Sequence, residues 1–206
     1  MSATSLGYVL AGGASSRFGT DKALAELQGE TMLARSVKLV FEVTGCARIV
    51  SPVVKLKSGE SQTIPDKWPR QGPLGGILTA LLDAKDSAGA DALALIVSCD
   101  MPFLTTEWLR FLVERAAESG AEAAVPKGAH GWEPLCACWR VSSVELILPS
   151  FEAGTRKITE ALNVLHVETL DEKDWKRFDT SGRLFWNMNT AADYEEARRV
   201  FAAGNT

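Results

Sequence analysis

Histidine is almost absent from this chain, with two residues in 206, and cysteine is scarce, with four. Two histidines at 130 and 166 supply no paired-His metal cluster and no obvious Ser-His-Asp constellation. Cys46, Cys99, Cys136 and Cys138 fit no zinc spacing, and four thiols in a chain this long make no disulfide framework. Cys136 and Cys138 flank one residue of a strand pattern, so they point to one face and read as small core residues in a reducing compartment. No apolar run approaches the length of a membrane span. Met1–Leu6 carries no basic region before an apolar one, so no signal peptide is expected and the expected compartment is the cytoplasm. Excess positive charge is missing too. A net charge of −4 argues against a nucleic-acid partner held by phosphate contacts. It leaves room for a small anionic substrate held by local cations.

What is present is ordinary for a globular protein: 46% hydrophobic and 23% charged residues. A chain of this length buries roughly 70% of its unfolded surface and needs no covalent staples. One domain spanning residues 1–206 is expected.

Apolar, β-branched runs alternate with amphipathic ones. Strands are predicted at Leu6–Leu10, Ala47–Val53, Gln62–Pro65, Ala92–Cys99, Glu122–Val125, Leu135–Arg140 and Val164–Leu170. Helices are predicted at Met32–Val43, Pro73–Ala84, Thr105–Ser119, Val141–Phe151, Arg156–Leu162 and Asp193–Phe201. Thr105 or Thr106 is the candidate N-cap of the third of these. Lys55–Ser61 and Thr169–Gly182 read as flexible loops. This alternation predicts an α/β fold: one Rossmann-like, doubly wound sheet, mostly parallel, with one antiparallel strand.

The strongest chemical signal runs from Leu10 through Ala11, Gly12 and Gly13 to Arg17, Asp21 and Lys22. It follows the first strand, where α/β proteins place ligand loops. Glycines let backbone N–H groups approach phosphate oxygens, and Arg17 and Lys22 add positive charge. It is neither a Walker loop nor a dinucleotide fingerprint, and two glycines alone would read as a surface loop. The second signal is Cys99-Asp100-Met101-Pro102, at the end of the most apolar strand. A carboxylate there shares a crevice with the first loop and is placed to hold Mg²⁺ against substrate phosphates. Capping of the next helix is the bland reading, but Asp100 lies too far upstream of Thr105 for that.

Together these segments resemble a known family. Leu10 to Lys22 is similar to the L-A-G-G-x-S-x-R-[MF]-G-x-D-K signature of the molybdenum cofactor guanylyltransferases, which have the nucleotide-diphospho-sugar transferase type of fold. The likeness continues in Gly72-Pro73-Leu74-Gly75-Gly76-Ile77, in Cys99-Asp100-Met101-Pro102, in Glu133-Pro134-Leu135, and in Asn187-Met188-Asn189-Thr190 with Asp193. The resemblance implies transfer of GMP from Mg·GTP to molybdopterin, with release of pyrophosphate. It assigns Leu10, Ala11, Gly12, Gly13, Ser51, Asp66 and Gly72 to the nucleotide, and Arg17, Lys22 and Asp100 to catalysis. Asp100 would be the metal ligand, and Asn187 and Asn189 would lie on the second-substrate side. Where the family often carries Asn after the second strand, this chain has the shorter Ser51, followed by Pro52. The implied partners are GTP, molybdopterin, and molybdenum-insertion and molybdoenzyme maturation proteins. Alternatives of the same fold are an enzyme using CTP or another phosphate acceptor. An alternative of another class is a non-catalytic cofactor-delivery protein. Arg156 and Lys157 are candidates for a cofactor phosphate, or simply a solvated helix start. Trp132 and Trp186 flank motifs and are expected to serve in core packing.

Overall fold

The computed structural model describes residues 4–12, 22–52, 61–179 and 181–204, with Lys22 described by its backbone alone. Gly13, Arg17, Asp21 and the Lys22 side chain therefore lie outside the described residues, as does most of the 55–61 loop.

Among the described residues, ten strands occur in chain order. They are β1 (Ser5–Leu10), β2 (Glu26–Leu27), β3 (Glu30–Thr31), β4 (Arg48–Ser51) and β5 (Gln62–Pro65). Then come β6 (Leu93–Ser98), β7 (Ala123–Gly128), β8 (Gly131–Trp132), β9 (Cys136–Arg140) and β10 (Val167–Leu170). The helices are α1 (Met32–Thr44), α2 (Pro73–Ala88), α3 (Thr106–Ser119), α4 (Val144–Glu152), α5 (Ile158–Ala161), α6 (Glu172–Trp175) and α7 (Ala191–Ala202). The main sheet runs β10-β7-β9-β6-β1-β4-β5. Pairing is parallel from β5 through β4 and β1 to β6, and again between β7 and β10. Strand β9 alone runs against both its neighbours in this order. The sheet is thus doubly wound and mostly parallel, as the alternation of elements requires.

Both faces of the sheet are covered, which explains why β6 (LALIVS) is apolar throughout rather than alternating. Ala94 and Ile96 face a core that includes Leu74, Ile77, Leu78 and Leu81 of α2 and Ile147 and Phe151 of α4. Leu93, Leu95 and Val97 face the opposite core, with Leu33, Val37 and Val40 of α1 and Trp108, Leu109 and Leu112 of α3. Cys136 and Cys138 point together into that second core. Burial pushes both thiols up to about 12, so they are inert packing groups. Trp108 donates its indole N–H to the Cys136 sulfur at 3.3 Å. A third, small cluster joins α7 to the rest through Leu27, Met32, Phe103, Met188, Val200 and Phe201. Among the described residues, no helix is long and apolar enough to cross a membrane.

Helix ends follow local chemistry. Thr31 caps α1 by accepting from the Ala34 N–H at 3.1 Å, and left-handed Gly45 ends it. Thr105, not Thr106, caps α3, accepting from the Trp108 N–H at 3.2 Å. Polar ties reinforce the layers. Buried Tyr8 donates to Asp83 on α2 at 2.8 Å, and Arg48 of β4 pairs with the same carboxylate oxygen. Burial is the main reason the Tyr8 hydroxyl pKa is raised, with the Asp83 hydrogen bond next.

The expected loop at Thr169–Gly182 is structured in large part. Residues 169–170 complete β10, and Asp171 and Asp174 form a capping box that starts α6. A polar stretch rich in Asp and Lys hides one anchoring side chain, Trp175, whose indole donates to the Lys127 carbonyl at 3.1 Å. The helix expected at Arg156–Leu162 is shorter, confined to Ile158–Ala161 with a 3₁₀ turn after it. The β2–β3 hairpin is unexpected from the sequence. Its strands have two residues each, too short for a period, and Gln28 and Gly29 turn with positive φ.

Strand β1 runs close against the C-terminal turn of α1. A side chain at Gly7 would lie 2.6 Å from the Cys46 carbonyl and the Thr44 hydroxyl and would collide with Val40. Gly7→Ala is expected to destabilise the fold by about 3 kcal/mol through overpacking against backbone. Thermal unfolding would show this as a loss of about 6–12 °C in Tm.

Candidate functional site

The C-terminal ends of β5, β4, β1 and β6 line one edge of the sheet. In register, Ser51 faces Pro65, and Leu10 faces both Val50 and Ser98. The order reverses at β1: the chain leaves it for β4 on one side and returns as β6 on the other. Such a switch point opens a crevice beyond the strand ends, because the connections depart to opposite faces. The first loop and the Asp100 motif flank that crevice.

Leu10 and Ala11 are wedged there. The Ala11 N–H donates to the Val50 carbonyl at 2.9 Å, and the Cys99 N–H donates to the Leu10 carbonyl at 3.2 Å. Leu10 packs on helix α2 at Gly76, where an added Cβ would lie 3.4 Å from its side chain. Gly12 is exposed, but a Cβ on it would press on Pro52 at 3.0 Å. Leu10, Ala11 and Gly12 are therefore held on three sides at the crevice.

The nucleotide-side candidates form a connected wall. Ser51 is fully buried, and its carbonyl accepts from the Asp66 N–H at 3.0 Å. The Asp66 Oδ1 accepts from the Trp68 N–H at 2.9 Å and from the Thr79 hydroxyl at 3.2 Å. Gly72, with φ 86°, precedes Pro73 at the first turn of α2. That conformation favours glycine. Gly75 and Gly76 are both buried; a Cβ on Gly75 would meet Trp68 at 3.0 Å. They serve the packing of α2 against Trp68 and Leu10.

Asp100 lies two residues beyond β6. Its Oδ1 is buried and accepts no hydrogen bond among the described residues. A buried carboxylate oxygen without a donor is costly unless a cation meets it. A hard divalent metal ion fits this atom, since such ions take oxygen ligands and share them with phosphates and water. Among the described residues no cluster of three or more His, Cys, Asp or Glu side chains stands ready to hold a metal. The remaining ligands would come from substrate.

The Asp100 carbonyl accepts from the Met188 N–H at 2.9 Å, which brings the distant Asn187–Asn189 segment beside the metal candidate. Asn187 donates its amide to the Phe185 carbonyl at 3.2 Å. The Asn189 and Thr190 N–H groups donate to the Asp193 carboxylate at 2.8 and 2.7 Å, and Thr190 accepts from the Asp193 N–H. Asp193 thus completes the capping box that fixes the start of α7 and, with it, both asparagines. Arg156 and Lys157 do not join this group. The Arg156 guanidinium covers the Phe151 ring at 4.1 Å and donates to the carbonyls of Phe151 and Thr155, while exposed Lys157 pairs with Glu160. Trp186 packs on Phe103, and Trp132 packs against the α2–α4 core.

Sequence reasoning read Glu133 only as the start of a strand. Antiparallel β9 begins where parallel β6 ends: the Ser98 N–H donates to the Leu135 carbonyl at 2.8 Å. That places Glu133 at the same edge as Asp100. The carboxyl is half-buried and makes no hydrogen bond or ion pair among the described residues; desolvation pushes it up to about 7. The available signal was a carboxylate immediately before Pro134 at a strand start. A glutamate pKa raised on folding means stability that is full below about 4.5 and lost as pH rises through about 7. Glu133→Gln should therefore match the parent in Tm at pH 4 and exceed it at pH 8; thermal melts at both pH values check this.

Residues 7–167 match the MobA-like NTP transferase domain family. A molybdenum cofactor guanylyltransferase of Desulfosudis oleivorans is 33% identical over 200 residues, covering 96% of each chain. A probable molybdenum cofactor guanylyltransferase of Pelotomaculum thermopropionicum is 32% identical, covering 93% of this chain and 91% of its own. Among solved structures, molybdopterin-guanine dinucleotide biosynthesis protein A of Archaeoglobus fulgidus superposes with a TM-score of 0.79 at 25% identity, over 96% of this chain and 99% of that one. The 2-C-methyl-D-erythritol 4-phosphate cytidylyltransferase of Thermus thermophilus, at 12% identity and a TM-score of 0.65 over 95% of this chain and 98% of that one, shares the fold. By family match, by relatives that span nearly its whole length and by the crevice at its switch point, this chain belongs to the MobA-like NTP transferase family.

Proposed function

We propose that the protein is a molybdenum cofactor guanylyltransferase: it transfers GMP from Mg·GTP to the terminal phosphate of molybdopterin and releases pyrophosphate. The observation that carries this is the buried Oδ1 of Asp100, without a donor among the described residues, at the switch point beside the Leu10-Ala11-Gly12 turn. The names of the relatives supply the nucleotide and the acceptor.

A phosphate oxygen of the acceptor attacks the α-phosphorus of GTP; a new P–O bond forms, the bond to the β-phosphate bridging oxygen breaks, and pyrophosphate leaves with the electron pair. The nucleophile is already anionic, so the protein needs no strong base, and its task is positioning and charge neutralisation. Leu10, Ala11, Gly12 and Gly13 are the residues assigned to the triphosphate. Arg17 and Lys22 neutralise it. Ser51, Asp66 and Gly72 make the nucleotide side of the crevice, with Ser51 fixing Asp66 through its carbonyl. Asp100 holds the metal, which supplies positive charge to the phosphates. Asn187 and Asn189 flank Met188, which is bonded to the Asp100 carbonyl, and stand on the acceptor side. The proposed compartment is the cytoplasm, and the product passes on to molybdenum-insertion and molybdoenzyme maturation proteins.

Purified protein with Mg²⁺ and molybdate-loaded molybdopterin is expected to release pyrophosphate with GTP and not with CTP. Release with CTP alone would move the protein to a cytidylyl role, and release with neither would overturn the assignment. Asp100→Ala is expected to lower kcat by at least about 10²–10³-fold. Its Tm should not fall, because the lost oxygen has no donor among the described residues. Full activity of Asp100→Ala in Mg²⁺ would remove Asp100 from the metal.

A further inference from the structure

Gly128 closes β7 at the crevice edge. A Cβ built there would lie 3.2 Å from the Glu133 Oε1 and 3.6 Å from Cδ2 of Phe185. The bare glycine therefore lets the Glu133 carboxylate and the Phe185 ring edge both lie against the end of β7, next to one another. Phe185 is itself fixed, with its ring edge-on to Trp108 at 5.5 Å and to Trp175 at 5.3 Å. From Phe185 the chain reaches Met188, bonded to the Asp100 carbonyl, in three residues. Three residues span at most about 10 Å, so Phe185 and the Asp100 backbone belong to one neighbourhood.

The carboxylate of Glu133 is half-buried with no cation and no donor among the described residues. A ligand that satisfies it must bring donors of its own, preferably two and parallel, since a carboxylate is best met by a planar fork. No group of three metal-ligating side chains surrounds it among the described residues, so a metal cage there does not account for it. The neighbouring ring edge and bare glycine suit a flat apolar body.

We infer that Glu133 reads the acceptor in the reaction proposed above, its carboxylate taking the ring N–H and the amino N–H of a 2-amino-4-oxo-pyrimidine edge, the edge that a pterin presents. The ring lies against the Phe185 edge, and the acceptor phosphate extends from there towards Asp100. The inference rests on the guanylyltransferase reading for its acceptor but not for its binding test.

The experiment compares wild-type protein with Glu133→Gln, which keeps the shape and spoils one of the two accepting positions. In steady-state guanylyl transfer, Glu133→Gln is expected to raise KM for molybdopterin about 10- to 100-fold, the weight of a hydrogen bond pair to a charged group, with KM for GTP unchanged. Binding without turnover is followed by the fluorescence of 6-hydroxymethylpterin and of 6-hydroxymethyllumazine, which has a carbonyl in place of the 2-amino group. Wild-type protein should prefer the pterin by about tenfold or more, and Glu133→Gln should lose the preference. A variant that keeps both its acceptor KM and its pterin preference overturns the inference. So does a variant whose KM rises for GTP alone, which would place Glu133 on the nucleotide. Absence of transfer by the wild-type protein would sink the guanylyltransferase reading, whereas the pterin–lumazine comparison, needing no turnover, still decides the role of Glu133.

Discussion

Everything at the crevice depends on how β1 ends. Its last carbonyl and the next N–H are both held, by Cys99 from one neighbouring strand and by Val50 from the other. A strand bonded on both sides at its end delivers the chain to one fixed point, and the parallel order on each side sends the connections to opposite faces. Each consequence follows from that. The loop after Leu10 starts in the crevice, Asp100 leaves β6 beside it, and Ser51 and Asp66 line up along the next two strands. The closeness of β1 to α1 at Gly7 belongs to the same constraint, because the strand cannot move outward without losing one set of bonds.

The two halves of the crevice are built differently. The half proposed for the nucleotide is made of parallel strand ends and the glycine-rich start of α2, braced by backbone hydrogen bonds. The half proposed for the acceptor is made by an antiparallel strand start and by a segment that arrives from far along the chain. A carboxylate stands on each half: Asp66, whose Oδ1 is engaged by Trp68 and Thr79, and Glu133, which is unengaged among the described residues. Guanine and pterin present the same 2-amino-4-oxo edge, so one kind of side chain can read both.

The strand ends that carry the nucleotide candidates were largely legible in the sequence. Continuous apolar runs such as 92–99 announced strands covered on both faces, and the turn after Leu10 and the Asp after the buried run fell at their ends. The acceptor half was less so. Nothing local marks Glu133 as anything but a strand start; its meaning comes from the antiparallel pairing of β9 with β6. Asn187 and Asn189 came from resemblance, and their attachment to Asp100 through Met188 is a long-range contact that no periodicity encodes. The order within 169–182 is hidden because capping by Asp171 and Asp174 looks like loop polarity, and Trp175 is a single apolar anchor among charges. Polar composition there reported surface position, not lack of structure.

The bond from Met188 to Asp100 has a further consequence. Met188 belongs to the small cluster around α7, not to either of the large cores that clamp the sheet. Regions secured by few buried contacts open at lower free energy than the cores beside them. Of the crevice's flanks, α7 and the asparagine segment are thus the one whose opening costs least free energy.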